Sequence, residues 1–476
     1  MVFPIVGGTQ STGYDVDNSL RINAGDSAFL SRTQTAGNQR TFTVSAWVKR
    51  ARLNDRQALF SSTTDGSNEC FIWFDTNDEL FVKENTSNST DFEIRTTRKF
   101  TDPSAWYHIV VAYDTTNGTA GDRVRIYVNG VEETVFDNET QPDQNFQTKF
   151  NKDSMVANIG RMNYGQEYLG GYLAEIHWLD GVQYDPTYFG EFDDNNEWVP
   201  KKYTGGNYGT NGYYLQFQQT GTSQNSSGIG ADTSGQDNHF AVTNLAAGDI
   251  NTDTCTNNFA TMSPQYSNKQ QGGAATFAEG NLEITTSYSD SNYNRYPQVY
   301  STFATQTGKY YYEMKITTSD VDSFIGVFSP ENLAYEGTTN PYGGYASTGA
   351  IYTSRGAVRI NDGQTTGHGT FSQNDILGCA LDLDNNKVYF HKNGTYIQSG
   401  DPAGNSGGQA IPAGFFYGFS VGNETASNSG TMQVNTGNPL FTISSGNSDA
   451  NGHGNFEYAV PSGYFALCTK NLAEFG

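Results

Sequence analysis

The sequence predicts an all-β protein built from two antiparallel β-sandwiches. The chain of 476 residues contains 30 Tyr, 30 Phe and 53 Gly, a composition typical of sheets joined by tight turns. Charged residues make up 16% of the chain, and the Glu-, Lys- and Leu-rich runs that form exposed helices are nearly absent. The length also exceeds that of one ordinary domain, since a domain averages about 150 residues.

The strand signals of the first half come from side-chain alternation. Residues 41–49 alternate at period two, which predicts a strand with one face in a core and the other at least partly covered. Residues 106–113 are apolar on both faces, as in a central strand between two layers. Val124–Val128 alternates up to Asn129-Gly130, a pair that favours a type I′ hairpin turn. Residues 131–135 are then the expected return strand.

The second half repeats this pattern. Apolar strands are predicted at residues 309–316, 324–328 and 376–383, followed by 388–391 and the second Asn-Gly pair at 393–394. A connector rich in Gly, Asn, Thr, Ser and Gln spans residues 203–275, and its islands at 213–217 and 239–242 are expected to pair with the first sandwich. We therefore expect an N-terminal arm at 1–14, a first domain at 15–260 and a second at 261–476.

Charge and cysteine content exclude several classes of protein. The net charge of −23 is spread evenly: residues 1–202 carry −11, from 18 basic and 29 acidic residues, and the remainder carries −12. An acidic surface of this kind disfavours nucleic-acid and membrane partners. The four cysteines, Cys70, Cys255, Cys379 and Cys468, have no CxxC spacing, so no zinc site is predicted. The first residues lack the features of a signal peptide, and we expect synthesis in a cytoplasm.

Two series of segments resemble known domain families. The first half contains, in order, SLRI (19–22), FTVSAWV (42–48), WYHIVV (106–111), VRIYVNG (124–130), IGR (159–161) and GYLAEIHW (171–178). Together they resemble a laminin-G or concanavalin A-like jelly roll. The second half contains GKYYYE (308–313), IGVF (325–328), DILGCALDLD (375–384), VYFHKNG (388–394) and YGF (417–419), which resemble an SPRY domain.

A third resemblance concerns the source of the chain. The segments FPIVGG (3–8), DPTYFGEF (185–192) and WVPKKY (198–203), combined with the two domain types, are similar to virion proteins of marine tailed phages. This resemblance implies a tail-fibre, tail-associated or capsid-decorating protein that assembles with other virion subunits, as a homo-oligomer, and that binds a host-surface glycan. It carries no mechanism, because one fold hosts many functions.

No convincing catalytic motif is found. Glycoside hydrolases of concanavalin-like fold need paired carboxylates on one strand, and the acidic run at residues 191–197 has the wrong spacing. Glu175 and His177 are two apart and would point to one sheet face, together with Leu173 and Leu179 if alternation is regular. We interpret them as satisfied polar residues of an outer face, so no catalytic residue is predicted.

Candidate ligand sites are confined to loops. An SPRY-like loop offers Tyr342, Tyr345, Tyr352 and Arg355, since sugars are bound by aromatic faces beside hydrogen-bonding groups. Candidate ligands for one structural Ca²⁺ are Asp75, Asp78 and Asp114, because laminin-G-like modules often hold a calcium ion at a loop rim; ordinary turn residues are the alternative. The run Asp382, Asp384 and Asn386 lacks the Gly and Glu of an EF-hand loop. No other cofactor is expected.

The sequence thus favours a non-enzymatic virion structural protein with lectin-like modules. Two alternatives stay open. One is a glycan-degrading hydrolase of concanavalin-like fold, and the other is a purely architectural decoration subunit.

Overall fold

The described chain forms two compact units. The structure, a computed structural model, describes residues 13–162, 166–267, 273–288, 297–318, 322–330, 348–360, 363–423 and 429–476. The division between the units falls between Asn257 and Asn258. The domain limits expected from the sequence, 15–260 and 261–476, stay a prediction.

The first unit is made of short antiparallel strands, with 3-10 turns at Ala24–Asp26, Ala120–Asp122, Pro186–Tyr188 and Ala247–Asp249. Its strands are β1 (Ser19–Ile22), β2 (Phe29–Thr33), β3 (Thr41–Arg50), β4 (Gln57–Asp65), β5 (Asn68–Phe74), β6 (Glu79–Thr86), β7 (Ser89–Lys99), β8 (Trp106–Asp114), β9 (Val124–Val128), β10 (Val131–Glu132), β11 (Phe136–Thr140), β12 (Val156–Ile159), β13 (Gly171–Asp180), β14 (Gly190–Phe192), β15 (Trp198–Pro200), β16 (Tyr213–Leu215), β17 (Ala241–Thr243) and β18 (Ile250–Asn251).

Two sheets of eight strands enclose the core of this unit. Sheet 1 has the order β10-β9-β8-β3-β13-β1-β18, with β16 also paired to β13. Sheet 2 has the order β11-β7-β6-β5-β4-β12-β2-β17, and β14 with β15 forms a separate ribbon. The buried cluster between the sheets draws side chains from both of them. The first unit is therefore a β-sandwich, as predicted.

The alternation of β3 explains how sheet 1 is covered on both faces. Phe42, Val44, Ala46 and Val48 lie in the core. On the opposite face Trp47 is 4% exposed and packs in a second cluster with Trp106 of β8. The prediction of one core face and one covered face is confirmed.

The Asn129-Gly130 turn connects β9 to β10 as predicted. Both residues have positive φ, 48° and 79°, and Val131 pairs with Val128. The return strand is shorter than expected, because β10 ends at Glu132 and the chain then crosses to β11 in sheet 2.

The Gly- and Asn-rich region completes the first unit. β16 pairs with β13 and β17 pairs with β2, so both predicted islands return to the first sandwich. Beyond β18, Asp253 is fully buried and lies 2.7 Å from Nζ of Lys49. Nε1 of Trp106 donates to the other carboxylate oxygen of Asp253 at 3.2 Å.

The second unit is also built from strands, with 3-10 turns at Glu279–Asn281 and Ile397–Ser399. Its elements are β19 (Met262–Ser267), β20 (Gly273–Ala278), β21 (Glu283–Tyr288), β22 (Gln298–Thr305), β23 (Lys309–Ile316), β24 (Ser323–Phe328), β25 (Gly349–Thr353), β26 (Val358–Ile360), β27 (Gly363–Thr365), β28 (Ile376–Asp382), β29 (Lys387–Lys392), β30 (Thr395–Tyr396), β31 (Gln409–Ala410), β32 (Tyr417–Asn423), β33 (Gly430–Asn435), β34 (Phe465–Ala466) and the helix α1 (Thr469–Phe475).

Two further sheets form the second sandwich. Sheet 3 has the order β19-β22-β32-β24-β25-β26-β27, and sheet 4 has the order β20-β21-β33-β23-β28-β29-β30, with β31 on β29 and β34 on β23. Their facing side chains make a second buried core, which includes Tyr312, Cys379 and Phe419. The Asn393-Gly394 turn again has φ of 48° and 79°. Among the described residues, no helix is long and apolar enough to cross a membrane.

Candidate functional site

The predicted aromatic loop of the second unit is only partly described. Tyr342 and Tyr345 lie outside the described residues, and their role stays a prediction. Tyr352, on β25, is fully buried, and its hydroxyl donates to the carbonyl of Gly369 at 2.7 Å. Burial raises the pKa of Tyr352 to about 12. Nε of Arg355 donates to the buried carboxylate of Asp322 at 2.7 Å, while its side chain stays 56% exposed.

The three aspartates predicted as calcium ligands are each held by protein donors. Asp75 accepts from the backbone N–H of Asn77 at 2.8 Å, and Asp78 pairs with Arg50 at 2.9 Å. Asp114 accepts from the N–H and the hydroxyl of Thr116. Nowhere in the described ranges do three or more His, Cys, Asp or Glu side chains form a group suited to a metal ion. Structural calcium stays a prediction.

A β-bulge in the middle of β13 places Glu175 and His177 on the outer face of sheet 1. The pairing of β13 with β3 shifts between Ala174 and His177, and Glu175 has a φ of 49°. The expectation that Leu173 shares their face is wrong, because the bulge adds one residue and leaves Leu173 in the core. Leu179 does lie on the outer side of sheet 1, in a buried cluster with Phe189 and Tyr208.

The Glu175 carboxylate accepts hydrogen bonds from two tyrosine hydroxyls. Oε2 accepts from Tyr14 at 2.7 Å and from Tyr214 at 2.5 Å, and it lies 3.8 Å from Nε2 of His177. Nδ1 of His177 is hydrogen-bonded to the hydroxyl of Tyr208 at 2.8 Å. Burial, with the Glu175 charge as the second cause, raises the pKa of both Tyr14 and Tyr214. The hydrogen bond from Tyr14 joins the start of the described chain to sheet 1.

The outer face of sheet 2 has a different character. Register places Trp73 of β5 opposite Phe81 of β6, and Phe81 opposite Arg95 of β7. The next row pairs Phe71 with Lys83, and Lys83 with Glu93. We call this surface the aromatic–charged face, and its members are Phe71, Trp73, Phe81, Lys83, Glu93 and Arg95.

The three rings of the aromatic–charged face form one cluster beneath cationic side chains. The centroids of Phe71 and Trp73 are 4.2 Å apart, and Phe81 lies 5.9 Å from each. The guanidinium of Arg56 lies 5.4 Å from the Trp73 ring, and that of Arg95 lies 5.6 Å from the Phe81 ring. The rings are 2–8% exposed, and Met162 packs in the same buried cluster.

Several polar atoms at this face lack hydrogen-bond partners. In the described part of the chain, Nε1 of Trp73, Nε of Arg95 and Oε2 of Glu79 are buried and make no hydrogen bond. Arg95 is surrounded by carboxylates of Asp75, Glu79 and Asp137, at 3.8, 4.0 and 3.1 Å. Burial, followed by the charges of Asp75 and Asp137, raises the pKa of Glu79. Nε of Arg95 and Oε2 of Glu79 face each other at 4.0 Å, beyond hydrogen-bond distance. Buried polar atoms without a hydrogen bond are costly, so a ligand that bonds to them gains affinity.

Comparison with protein families identifies both units. Residues 23–183 match the concanavalin A-like lectin/glucanases superfamily, and residues 309–426 match the SPRY domain. The chain carries a concanavalin A-like domain and a SPRY domain. These domain types indicate a binding module. The aromatic–charged face and the Glu175 network both lie in the unit that contains the concanavalin A-like domain.

The solved structures that match the chain include three that each cover about a third of it. The SPRY domain of human HERC1 is 16% identical, with a TM-score of 0.28, over 36% of this chain and 96% of that one. The heptameric SAP-like pentraxin from Limulus polyphemus is 17% identical, with a TM-score of 0.28, over 36% of this chain and 80% of that one. A human SPRY domain is 15% identical, with a TM-score of 0.23, over 34% of this chain and 93% of that one. No curated protein matches the chain.

The sequence reasoning missed the aromatic–charged face. A signal was present, since Phe71 and Trp73 are two apart and Phe81 is followed two residues later by Lys83. Period-two spacing shows that each pair shares a face, but it does not show that β5 and β6 are neighbours in register.

Proposed function

We propose that this chain is a non-enzymatic virion structural protein of a tailed phage, whose concanavalin A-like domain binds host-surface glycans through the aromatic–charged face. The observation that carries the glycan proposal is the row of Trp73, Phe81 and Arg95 across three neighbouring strands, beside polar atoms that make no hydrogen bond. A sugar ring needs both kinds of contact, because it presents C–H patches beside hydroxyl groups.

The charged side chains around the rings can exchange their contacts for those of a sugar. Lys83 and Glu93 form an ion pair at 3.1 Å, with side chains 20% and 16% exposed. The Arg56 guanidinium over Trp73 occupies the place that the C–H patch of a sugar would take. Sugar hydroxyls both donate and accept, so they can pair with the free Nε1 of Trp73 and with Oε2 of Glu79.

The state of the Glu175 network supports a role without catalysis. A glycosidase needs two carboxyl groups that reach the scissile bond from a cleft. The Glu175 carboxylate is instead held by the protein, because the hydroxyls of Tyr14 and Tyr214 both donate to Oε2.

The virion part of the proposal rests on the sequence resemblance to tailed-phage proteins. On this basis we propose assembly with other virion subunits and as a homo-oligomer, without nucleic-acid or membrane partners. The net charge of −23 supports the last point.

A glycan array probed with the intact chain tests the glycan proposal. We expect binding to at least one glycan class, and we expect Trp73→Phe to weaken it by about tenfold, because the indole N–H is lost while an aromatic ring remains. The matched control is Tyr188→Phe, since Tyr188 is an exposed aromatic residue outside the aromatic–charged face. An array without any binding, from a chain that still enters particles, would favour the architectural role instead.

Glycan hydrolysis is the second candidate function, and one observation favours it. Glu175 is a non-glycine residue held at a φ of 49° beside His177, and such backbone conformations are common at active sites. A polysaccharide panel tests it. Turnover that Glu175→Gln abolishes, in a variant with unchanged thermal stability, would replace the proposal of a non-enzymatic protein.

A further inference from the structure

Both sheets of the first unit end at the same side of the sandwich. β10 is the last strand of sheet 1 and β11 is the last strand of sheet 2, and only residues 133–135 separate them. A terminal strand has backbone N–H and C=O groups on its outer side that are free to pair with an added strand. We call residues 131–140 the acidic edge.

Apolar side chains are exposed at the acidic edge. Val131 is 53% and Val135 is 64% exposed. Phe192 is 47% exposed, and its ring lies 4.9 Å from the ring of Trp198. Trp198 in turn packs against Gly130, the residue before Val131. Exposed apolar side chains beside a terminal strand, where backbone groups can also pair, favour docking of another chain.

The segment that forms this edge carries charges of one sign. Residues 129–148 contain five acidic residues, Glu132, Glu133, Asp137, Glu139 and Asp143, and no Lys or Arg. Arginines of neighbouring strands pair with three of them: Arg125 with Glu132, Arg98 with Glu133 and Arg95 with Asp137. Within the described chain, Glu139 and Asp143 have no ion-pair partner.

We propose that the acidic edge binds an extended segment of another protein that carries both Lys or Arg and apolar residues. Backbone pairing with β11 would supply affinity, the carboxylates would select Lys or Arg, and Val131 and Val135 beside β11 would contact apolar side chains. A second copy of this chain fits less well, because it would bring Glu132, Asp137 and Glu139 against the same residues in a molecule of net charge −23. This proposal does not depend on glycan binding.

A synthetic peptide tests the proposal. The probe is a fluorescein-labelled octapeptide of alternating Lys and Val, and the comparison peptide has Glu in place of Lys. With the intact chain we expect saturable binding of the first peptide alone, weakened by added salt. Hydrogen exchange of the complex should show slower amide exchange in residues 131–140.

Two charge reversals provide the matched control. Glu139→Lys and Asp237→Lys change the net charge equally, both residues are exposed, and Asp237 precedes β17, at the other end of sheet 2 from β11. We expect Glu139→Lys to weaken peptide binding by about tenfold and Asp237→Lys to leave it unchanged. Equal effects of both reversals, protection of a different segment, or protection of residues 131–140 in the concentrated chain without peptide would each overturn the proposal.

Discussion

A buried chain of hydrogen bonds fixes one histidine of the second unit in its neutral form. The backbone N–H of Gly394 donates to Nδ1 of His391 at 3.2 Å, so the imidazole proton resides on Nε2, which donates to Tyr311 at 2.7 Å. Tyr311 in turn donates to Glu313 at 3.0 Å. Glu313 also accepts from the backbone N–H groups of residues 457–458. The network therefore ties the C-terminal region to β23.

Acid should destabilise the second unit through this histidine. Burial lowers the pKa of His391 to about 3, whereas the unfolded chain binds the proton near the usual pKa of 6.5. A lowered histidine pKa means that its stabilising contribution is complete above pH 6.5 and is lost as the pH falls towards about 3. Burial raises the pKa of Glu313, which has the opposite effect.

Replacing His391 isolates its contribution to the pH dependence of the unfolding free energy. We expect His391→Gln to remove a slope of about 1.4 kcal/mol per pH unit from the unfolding free energy in that range, because one fewer proton is taken up on unfolding. Urea unfolding of both proteins at several pH values below 6.5 measures this slope. Parallel curves for the two proteins would show that His391 does not titrate on unfolding.

At the scale of elements, the Asn129-Gly130 turn does more than reverse the chain. Gly130 has a φ of 79°, and a Cβ added there would lie 2.2 Å from the ring of Trp198. The ring also donates through Nε1 to Nδ1 of His108 at 2.9 Å. The turn therefore supports the ribbon of β14 and β15 over sheet 1.

Gly130→Ala should destabilise the first unit. We expect a loss of about 1–2 kcal/mol from the left-handed backbone alone, and a further loss because Trp198 must move. Unfolding in urea, followed by tryptophan fluorescence, measures the effect. The control is Gly118→Ala, at a position with open space and no positive φ. Equal stability of the two variants would contradict both the backbone cost and the cost of moving the ring.

The same elements show how far the sequence predicts this structure. The alternation of β3, both Asn-Gly turns and the two returning islands were predictable, because they depend on local patterns and turn chemistry. The bulge at Glu175 was not, since a period-two pattern carries no sign of an extra residue. The aromatic–charged face was missed for a related reason: Trp73, Phe81 and Arg95 meet only through the register of three strands.

At the scale of the whole molecule, the two units have separate cores. The first is drawn from residues between Leu20 and Leu245, and the second from residues between Ala260 and Leu467. The acidic charge is divided almost equally as well. Separate cores favour independent folding, because the apolar surface that each unit buries comes from its own strands.

The first unit, however, extends well beyond the segment that matches the concanavalin A-like superfamily. That match ends at residue 183, whereas Lys49 is paired with Asp253. Burial lowers the pKa of Lys49, and the charge of Asp253 opposes this shift. A buried cation that loses its partner costs about 3–5 kcal/mol. The core also uses Tyr213, Leu215 and Phe240 from the same returning region.

Fragments of the chain should therefore fold according to these contacts. We expect residues 13–257 and 258–476 to fold separately, each with one cooperative unfolding transition, and we expect a fragment of residues 13–183 to stay unfolded, because Lys49 and the core would lack their partners. Circular dichroism and urea unfolding of the three fragments measure this. A stable fragment of residues 13–183 would show that the returning strands are an addition to a domain already complete.

The pair of Lys49 and Asp253 can also be tested within the fragment of residues 13–257. There, Asp253→Asn should lower the free energy of unfolding by about 3–5 kcal/mol, because Lys49 stays buried without its partner. The control is Glu191→Gln, which should change the stability little because both side chains of its ion pair are 44% exposed.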